Sequence, residues 1–215
     1  MPTKIRISEI FHSLQGEANT VGLPTVFVRL TGCPLRCSYC DTSYAFSGGT
    51  LLTISQILAE VKSFSTALVT VTGGEPLAQG ECLVLLKRLC DEGFEVSLET
   101  SGAMDVAGVD GRVVKVMDLK TPGSGEEQRN LYTNLSHLNK CDQVKFVIGD
   151  RVDYEWSKAK CSEYALADKV ADVLFSANYG VLSASQLAEW ILQDRLQVRL
   201  QIQLHKYLWG EKTGV

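Results

Sequence analysis

Short runs rich in valine, leucine and phenylalanine alternate with stretches of helical periodicity from the N-terminus almost to the end of this chain. That alternation is the pattern of β-α units, because a parallel strand pair needs a crossover between its members, usually a helix. It predicts strands near 4–11, 25–31, 67–72, 95–100, 112–119, 143–148, 171–176 and 198–204. Helices are predicted at 53–63, 81–92, 127–138, 152–160 and 183–192. Two of them carry local signals. Thr53 precedes ISQILAEVK, in which Ile54, Ile57, Leu58 and Val61 recur on one face, so an N-cap and an apolar stripe agree. ECLVLLKRLCDEG runs to Gly93, a residue suited to the left-handed position just past a helix. The polar segment TPGSGEEQ at 121–128 follows a strand and is placed on the face where the strands end.

A complete eight-stranded β/α barrel takes about 250 residues. With 215 residues, the expected architecture is α/β: a partial or open (β/α) barrel with a curved, mostly parallel sheet. Residues 1–215 are read as a single domain, since 45% hydrophobic and 21% charged residues suit one sizeable core.

A net charge of −4 argues against a nucleic-acid partner held through phosphates and favours a small-molecule substrate. No stretch approaches the roughly 18 apolar residues of a membrane helix. MPTKIRISEI lacks the apolar region of a signal peptide, so a cytoplasmic location is expected. Seven cysteines in such a compartment suggest metal or redox use before disulfides. Cys82, Cys90, Cys141 and Cys161 have no ligand-like spacing and are read as buried thiols.

Cys33, Cys37 and Cys40 differ, lying close together in GCPLRCSYCDT directly after the apolar run TVFVRL. Three thiolates can hold three irons of a four-iron, four-sulfur cluster and leave the fourth iron open to a small molecule. Structural zinc needs four ligands, but there is no second C-x-x-C, and His12, His137 and His205 are far apart. A redox C-x-x-C fits Cys37 and Cys40 and leaves Cys33 unexplained.

In parallel α/β folds ligands gather where the strands end. There lie TGGEP (Thr72 to Pro76), ETSG (Glu99 to Gly102) and DLKTPGSGE. Gly73 and Gly74 would let backbone approach a ligand, with the Glu75 carboxylate beside them, although such a pair also suits a tight turn. Glu99 and Ser101 suit ribose hydroxyls or the cap of a following element. Arg29 interrupts an apolar strand. If both strand faces are covered, an unpaired guanidinium is costly, and an anionic ligand would satisfy it; if one face is open, Arg29 is a surface residue.

The spacing C-x-x-x-C-x-aromatic-C, with Tyr39 as the aromatic, resembles the signature of the radical S-adenosylmethionine (SAM) superfamily. A wider set of motifs closely resembles one family within it, the 7-carboxy-7-deazaguanine synthases: ISEIFHSLQGEANTVGLPTVFVRLTGCPLRCSYCDTSYAF, TGGEP, DLKTPGSGE, QVKFVIGD and QLHKYLWG, from about Ile7 to Gly210. The resemblance implies a 4Fe–4S cluster on Cys33, Cys37 and Cys40, with SAM on its open iron. It places Tyr39, Cys40, Asp41, Gly73, Gly74, Glu75, Glu99, Ser101, Asp118, Leu119 and Lys120 against the cofactor. It places Leu14, Gln15, Gly16, Arg29, Thr72 and, from the last strand, His205 against the substrate, and gives Thr42 to Mg²⁺. The implied reaction converts 6-carboxy-5,6,7,8-tetrahydropterin to 7-carboxy-7-deazaguanine with loss of ammonia, toward queuosine and other deazapurines. The implied partners are a second copy of the chain, in a homodimer, and a flavodoxin or ferredoxin as reductant. The alternatives are a glycyl-radical-enzyme activase, which acts on a protein, and a non-enzymatic iron–sulfur electron carrier with four protein ligands.

Overall fold

In the computed structural model of the protein, residues 3–210, 212, 214 and 215 are described. Among them nine strands form one sheet: β1 (Lys4–Leu14), β2 (Pro24–Leu30), β3 (Thr50–Thr53), β4 (Leu68–Gly73), β5 (Glu95–Thr100), β6 (Val114–Asp118), β7 (Gln143–Ile148), β8 (Asp172–Ala177) and β9 (Arg199–Gln201). Their order is β3-β1-β2-β4-β5-β6-β7-β8-β9. β1 pairs antiparallel with β2 and β3, and every pair from β2 to β9 is parallel. The sheet is open, with β3 and β9 at its edges. The helices are α1 (Ile54–Ser63), α2 (Cys82–Asp91), α3 (Arg151–Glu163), α4 (Leu166–Lys169), α5 (Ala184–Asp194) and α6 (Leu204–Trp209).

Alternation along the strands gives the sheet two unlike faces, because successive side chains point to opposite sides. Val26, Val28, Leu30, Val69, Val71, Val96, Leu98, Met117, Val144, Phe146, Val173 and Phe175 share one buried cluster with Ile57, Leu58, Val61, Leu85, Leu86 and Leu89 of α1 and α2. The intervening positions are mostly polar: Arg29, Thr70, Thr72, Ser97, Glu99, Asp118, Gln143, Lys145 and Ser176. The helices therefore cover the apolar face, and the polar face is left for the site.

α1 begins at a full capping box. Gln56 N donates to Thr53 Oγ1 at 3.2 Å, and Thr53 N donates to Gln56 Oε1 at 2.8 Å. Thr53→Ala is expected to cost about 1 kcal/mol of stability, read as a lower urea midpoint with an unchanged slope.

Several elements differ from the sequence reading. The helix predicted at 127–138 is replaced by two short 3₁₀ turns, Glu127–Arg129 and Tyr132–His137. Side-chain bonds to backbone compete with helix there. Asn130 bonds both backbone groups of Lys120, and Asn134 bonds the carbonyls of Gly102 and Met104. The strand predicted at 198–204 stops at Gln201, and Leu204 opens α6. β3 was not predicted; TLLT is short, and its strand character comes from pairing with Lys4–Ile7. Of the four thiols read as buried, Cys82 is buried and Cys90 and Cys161 are partly so, whereas Cys141 is exposed. Cys141 sits in the turn that enters β7, where its N–H donates to Asn139 Oδ1 at 2.8 Å.

Candidate active site

A single cleft on the polar face is lined by Phe11 and Leu14 of β1, Phe27 and Arg29 of β2, the cysteine loop, Thr72 and Gly73 of β4, Glu99 of β5, Asp118 of β6, Lys145 and Val147 of β7, and Gln203 and His205 near the C-terminus. Nine flat strands would spread over about 38 Å, at about 4.8 Å per neighbour. Residues from so many strands meet in one cleft because the sheet curves around it.

The cysteine loop is anchored on both sides. Gly32 N donates to Ala45 O at 2.8 Å, and Ser38 reaches Ser124 O through its N–H at 3.0 Å and Gly123 O through its hydroxyl at 2.7 Å. Cys33, Cys37 and Cys40 are free, partly exposed thiols on the cleft wall. Burial pushes the Cys33 and Cys37 thiols up, assisted by the Cys40 sulfur near both. Among the described residues no three His, Cys, Asp or Glu side chains converge as a single metal ion requires. Three thiols on one wall suit a four-iron, four-sulfur cluster with one open iron better than structural zinc, which needs four ligands. Thr42 stands at the N-cap position of the turn Ser43–Phe46, yet its side chain caps nothing and faces the cleft.

Gly73 and Gly74 are required by a backbone-to-backbone approach rather than by a ligand alone. A Cβ on Gly73 would collide with Leu30 O; one on Gly74 would collide with Gly32 O and lie 2.8 Å from the Cys33 Cβ. The strand end is stitched to the cysteine loop by Gly74 N to Leu30 O at 3.2 Å and Glu75 N to Gly32 O at 2.8 Å. Glu75 itself is fully buried and does not line the cleft. Its carboxylate accepts from Leu77 N at 2.9 Å, Thr100 Oγ1 at 3.0 Å, Ser101 N at 2.7 Å and the Ser101 hydroxyl. It thus clamps the ends of β4 and β5 together. Leu119 is likewise not at the cleft wall: its side chain lies in the helix-covered core and its N–H donates to Lys145 O at 2.9 Å. The other residues predicted to contact cofactor or substrate, Leu14, Gln15, Gly16, Arg29, Tyr39, Cys40, Asp41, Thr72, Gly73, Gly74, Glu99, Ser101, Asp118, Lys120 and His205, all line it.

The floor is a hydrogen-bonded set. Gln15 is buried, its amide nitrogen donating to Thr70 Oγ1 at 3.1 Å and Glu99 Oε1 at 3.3 Å. Thr72 Oγ1 donates to Glu99 Oε2 at 2.9 Å. Burial holds the Glu99 carboxyl above its ordinary range despite the pull of Lys145. Beside it, Lys145 Nζ lies 2.6 Å from Glu17 Oε2 and 3.3 Å from Asp118 Oδ1, and Lys120 Nζ lies 2.6 Å from Asp118 Oδ2. Burial raises the Glu17 and Asp118 carboxyls, but the ammonium groups outweigh it and leave both below their ordinary values. Lys145 is held well above its own, because Asp118, Glu17 and Glu99 outweigh its desolvation.

Arg29 is not unpaired, contrary to the premise of the sequence argument. Its Nε lies 2.7 Å from Glu9 Oε1, and its guanidinium still faces the cleft. His205 comes from α6 and not from a strand, because the backbone turns at Gln203. Its ring packs against Gly16, and Leu204 N donates to Gly16 O at 3.0 Å. Gln203 Nε2 donates to Glu17 Oε1 at 2.9 Å, laying the C-terminal segment across the cleft. Glu9, Tyr44, Lys145 and Gln203 were not predicted. Lys145 had a legible signal, an isolated charge at an inner-face position of QVKFVI; the others meet only in three dimensions.

The Radical SAM superfamily profile matches residues 27–119, from β2 through the cysteine loop and TGGEP to the end of β6. The 7-carboxy-7-deazaguanine synthase of Koribacter versatilis (strain Ellin345) is 42% identical over 223 residues, covering 97% of this chain and 99% of the relative. That of Chlorobaculum tepidum is 44% identical over 209 residues, covering 96% of this chain and 94% of the relative. The chain belongs to the 7-carboxy-7-deazaguanine synthase family. The crystal structure of QueE from Escherichia coli shares the fold, with a TM-score of 0.77 and 24% identity over 93% of this chain and 94% of that one. The chain is a radical SAM enzyme, and as a 7-carboxy-7-deazaguanine synthase family member it uses a 4Fe–4S cluster and SAM. No helix among the described residues is long and apolar enough to cross a membrane.

Proposed function

We propose that this chain converts 6-carboxy-5,6,7,8-tetrahydropterin to 7-carboxy-7-deazaguanine and ammonia. The observation that carries the substrate is a cationic fork, Arg29, in the same cleft as the three thiols and above a floor of amide, hydroxyl and carboxyl groups. A planar guanidinium matches a carboxylate in two parallel hydrogen bonds. Gln15, Thr72 and Glu99 supply the donors and acceptors that a pterin's polar edge needs. A cluster held by Cys33, Cys37 and Cys40, with SAM on its open iron, would supply the radical chemistry that hydrogen abstraction from the substrate needs. The chain's own part is to hold the pterin beside the cofactor, to present at its edge the Glu99 carboxyl, whose burial favours the protonated form, and to screen the cleft with Gln203 and His205.

Cys33, Cys37 and Cys40 are assigned to the cluster. Tyr39, Asp41, Gly73, Gly74, Ser101, Asp118 and Lys120 are assigned to the cofactor side; Glu99, expected there from the resemblance, bonds Gln15 and Thr72 and is assigned instead to the substrate side, which Leu14, Gly16 and His205 join. Glu75 and Leu119 serve the cofactor through the segments they brace. Thr42 is assigned to Mg²⁺ because its hydroxyl lines the cleft beside the Cys40 sulfur, 3.9 Å away, and a hard cation accepts one such oxygen together with water and substrate oxygens. A flavodoxin or ferredoxin as reductant and a homodimeric state follow the resemblance.

The test is anaerobic: reconstituted enzyme, SAM, dithionite, Mg²⁺ and the carboxylated tetrahydropterin, with products followed by mass spectrometry. Formation of 7-carboxy-7-deazaguanine that requires SAM is the expected result. Cleavage of SAM without that product would overturn the substrate and leave the radical chemistry standing.

A further inference from the structure

Arg29 reaches the cleft through an arrangement that the strand pattern alone does not produce. β1 and β2 pair Ile7 with Leu30 and then Glu9 with Arg29, so β1 advances two residues where β2 advances one. This is a β-bulge, which shifts the phase of every side chain beyond it. Before the bulge Ile5 and Ile7 face the helix-covered core; after it Ile10 packs there, and Glu9 and Phe11 turn to the other face. Without the extra residue Glu9 would point into an apolar core and could not meet Arg29.

What the bulge delivers is a three-residue set drawn from three separate segments. Glu9 Oε1 accepts from Arg29 Nε at 2.7 Å and from the hydroxyl of Tyr44 at 2.7 Å. Tyr44 belongs to the turn that directly follows the cysteine loop. The guanidinium carbon lies 5.8 Å from the Phe11 ring centre and 6.0 Å from that of Tyr44, so two aromatic rings flank the group. The Arg29 and Glu9 side chains are only 14% and 23% exposed, which distinguishes this pair from a solvated surface bridge. Occupying Nε from behind leaves the terminal nitrogens as the part of the fork that can address a ligand.

We propose that Glu9 and Tyr44 are positioning residues that hold the Arg29 fork for the substrate's carboxylate, and that they thereby set the preference for a carboxylated pterin over an uncharged one. This rests on the reading of the substrate as a carboxylated pterin. Glu9 also places a negative charge near an anion site, which by itself would weaken binding. The proposal requires that orientation outweighs that repulsion.

The two effects separate in a comparison of Glu9→Ala, Glu9→Gln and Tyr44→Phe. Each is loaded with cluster and SAM and titrated anaerobically by calorimetry with 6-carboxytetrahydropterin and with tetrahydropterin lacking the carboxylate. Glu9→Ala is expected to weaken the carboxylated ligand about tenfold, the effect of losing an orienting charged hydrogen bond. Tyr44→Phe, which keeps the ring over the guanidinium, is expected to weaken it by about threefold. Glutamine retains the acceptor, so Glu9→Gln is expected to stay within about threefold of the native enzyme. The uncharged pterin is expected to bind all three variants as it binds the native enzyme, and in turnover KM for the carboxylated substrate rises more than kcat falls. Equal or tighter binding of the carboxylated pterin by Glu9→Ala, or equal weakening of both pterins, would overturn the assignment. If the native enzyme prefers the carboxylated pterin and Glu9→Ala keeps that preference undiminished, the assignment alone fails. If the native enzyme binds both pterins alike, the substrate reading fails with it.

Discussion

Replacing Cys37 with alanine is expected to remove the iron–sulfur absorption of the reconstituted protein and to abolish both SAM cleavage and product formation. The reason is ligand count. The loop presents three free thiols to the cleft, with no fourth cysteine on its wall among the described residues, so each substitution leaves two ligands for a cluster that needs three. The fold should survive, because Cys37 is partly exposed and the loop stays anchored through Ser38, Gly32 and Glu75 N. Cys33→Ala should behave in the same way, which separates the cluster from a dithiol redox pair built on Cys37 and Cys40 alone. Iron analysis with circular dichroism checks both points. Full iron retention in either variant would sink the three-ligand assignment.

Lys145→Met is expected to destabilise the protein by about 3–5 kcal/mol at neutral pH, the cost of breaking a buried ion pair from one side. Asp118 would keep Lys120, but Glu17 would keep Gln203 and lose its cation. The sign of the pH dependence follows. In the native protein Glu17 lies below its unfolded value despite burial, so it contributes stability above the ordinary glutamate range and loses it as pH falls. In the variant burial, the largest influence on Glu17 and reinforced by the Asp118 charge, is opposed only by His205 and the Gln203 hydrogen bond, which is expected to place Glu17 above its unfolded value and favour its protonated form on folding. The stability gap between the two proteins should therefore be widest near pH 7 and shrink toward pH 5. Urea denaturation at the two pH values measures it. A gap that is constant with pH would mean that Lys145 acts through packing and not through Glu17.

The site's composition was more legible in the sequence than its wiring. Cys33, Cys37, Cys40 and Tyr39 sit within one short loop, and TGGEP follows a strand with clear alternation, so spacing was enough to place them. What the sequence did not show is where a side chain points and what its neighbours require. Glu75 follows two cleft glycines in sequence but turns inward to Thr100 and Ser101. Arg29 was read as an anion site or a surface residue without sight of its protein partner, because Glu9 lies 20 residues away and reaches it across a bulge. The helix expected at 127–138 was lost to asparagine side chains whose backbone partners lie at other strand ends.

The sequence by itself determined the α/β class, the open and mostly parallel sheet and the cysteine loop after the second strand. These follow from periodicity and local spacing, which survive in one dimension. Only the tertiary structure decided which polar groups meet: the bulge that turns Glu9 to Arg29, the charge network of Glu17, Asp118, Lys120 and Lys145, and the C-terminal helix that carries His205 over Gly16. Each joins residues far apart in the chain, so its free energy depends on sheet curvature and burial, which no local window of sequence contains.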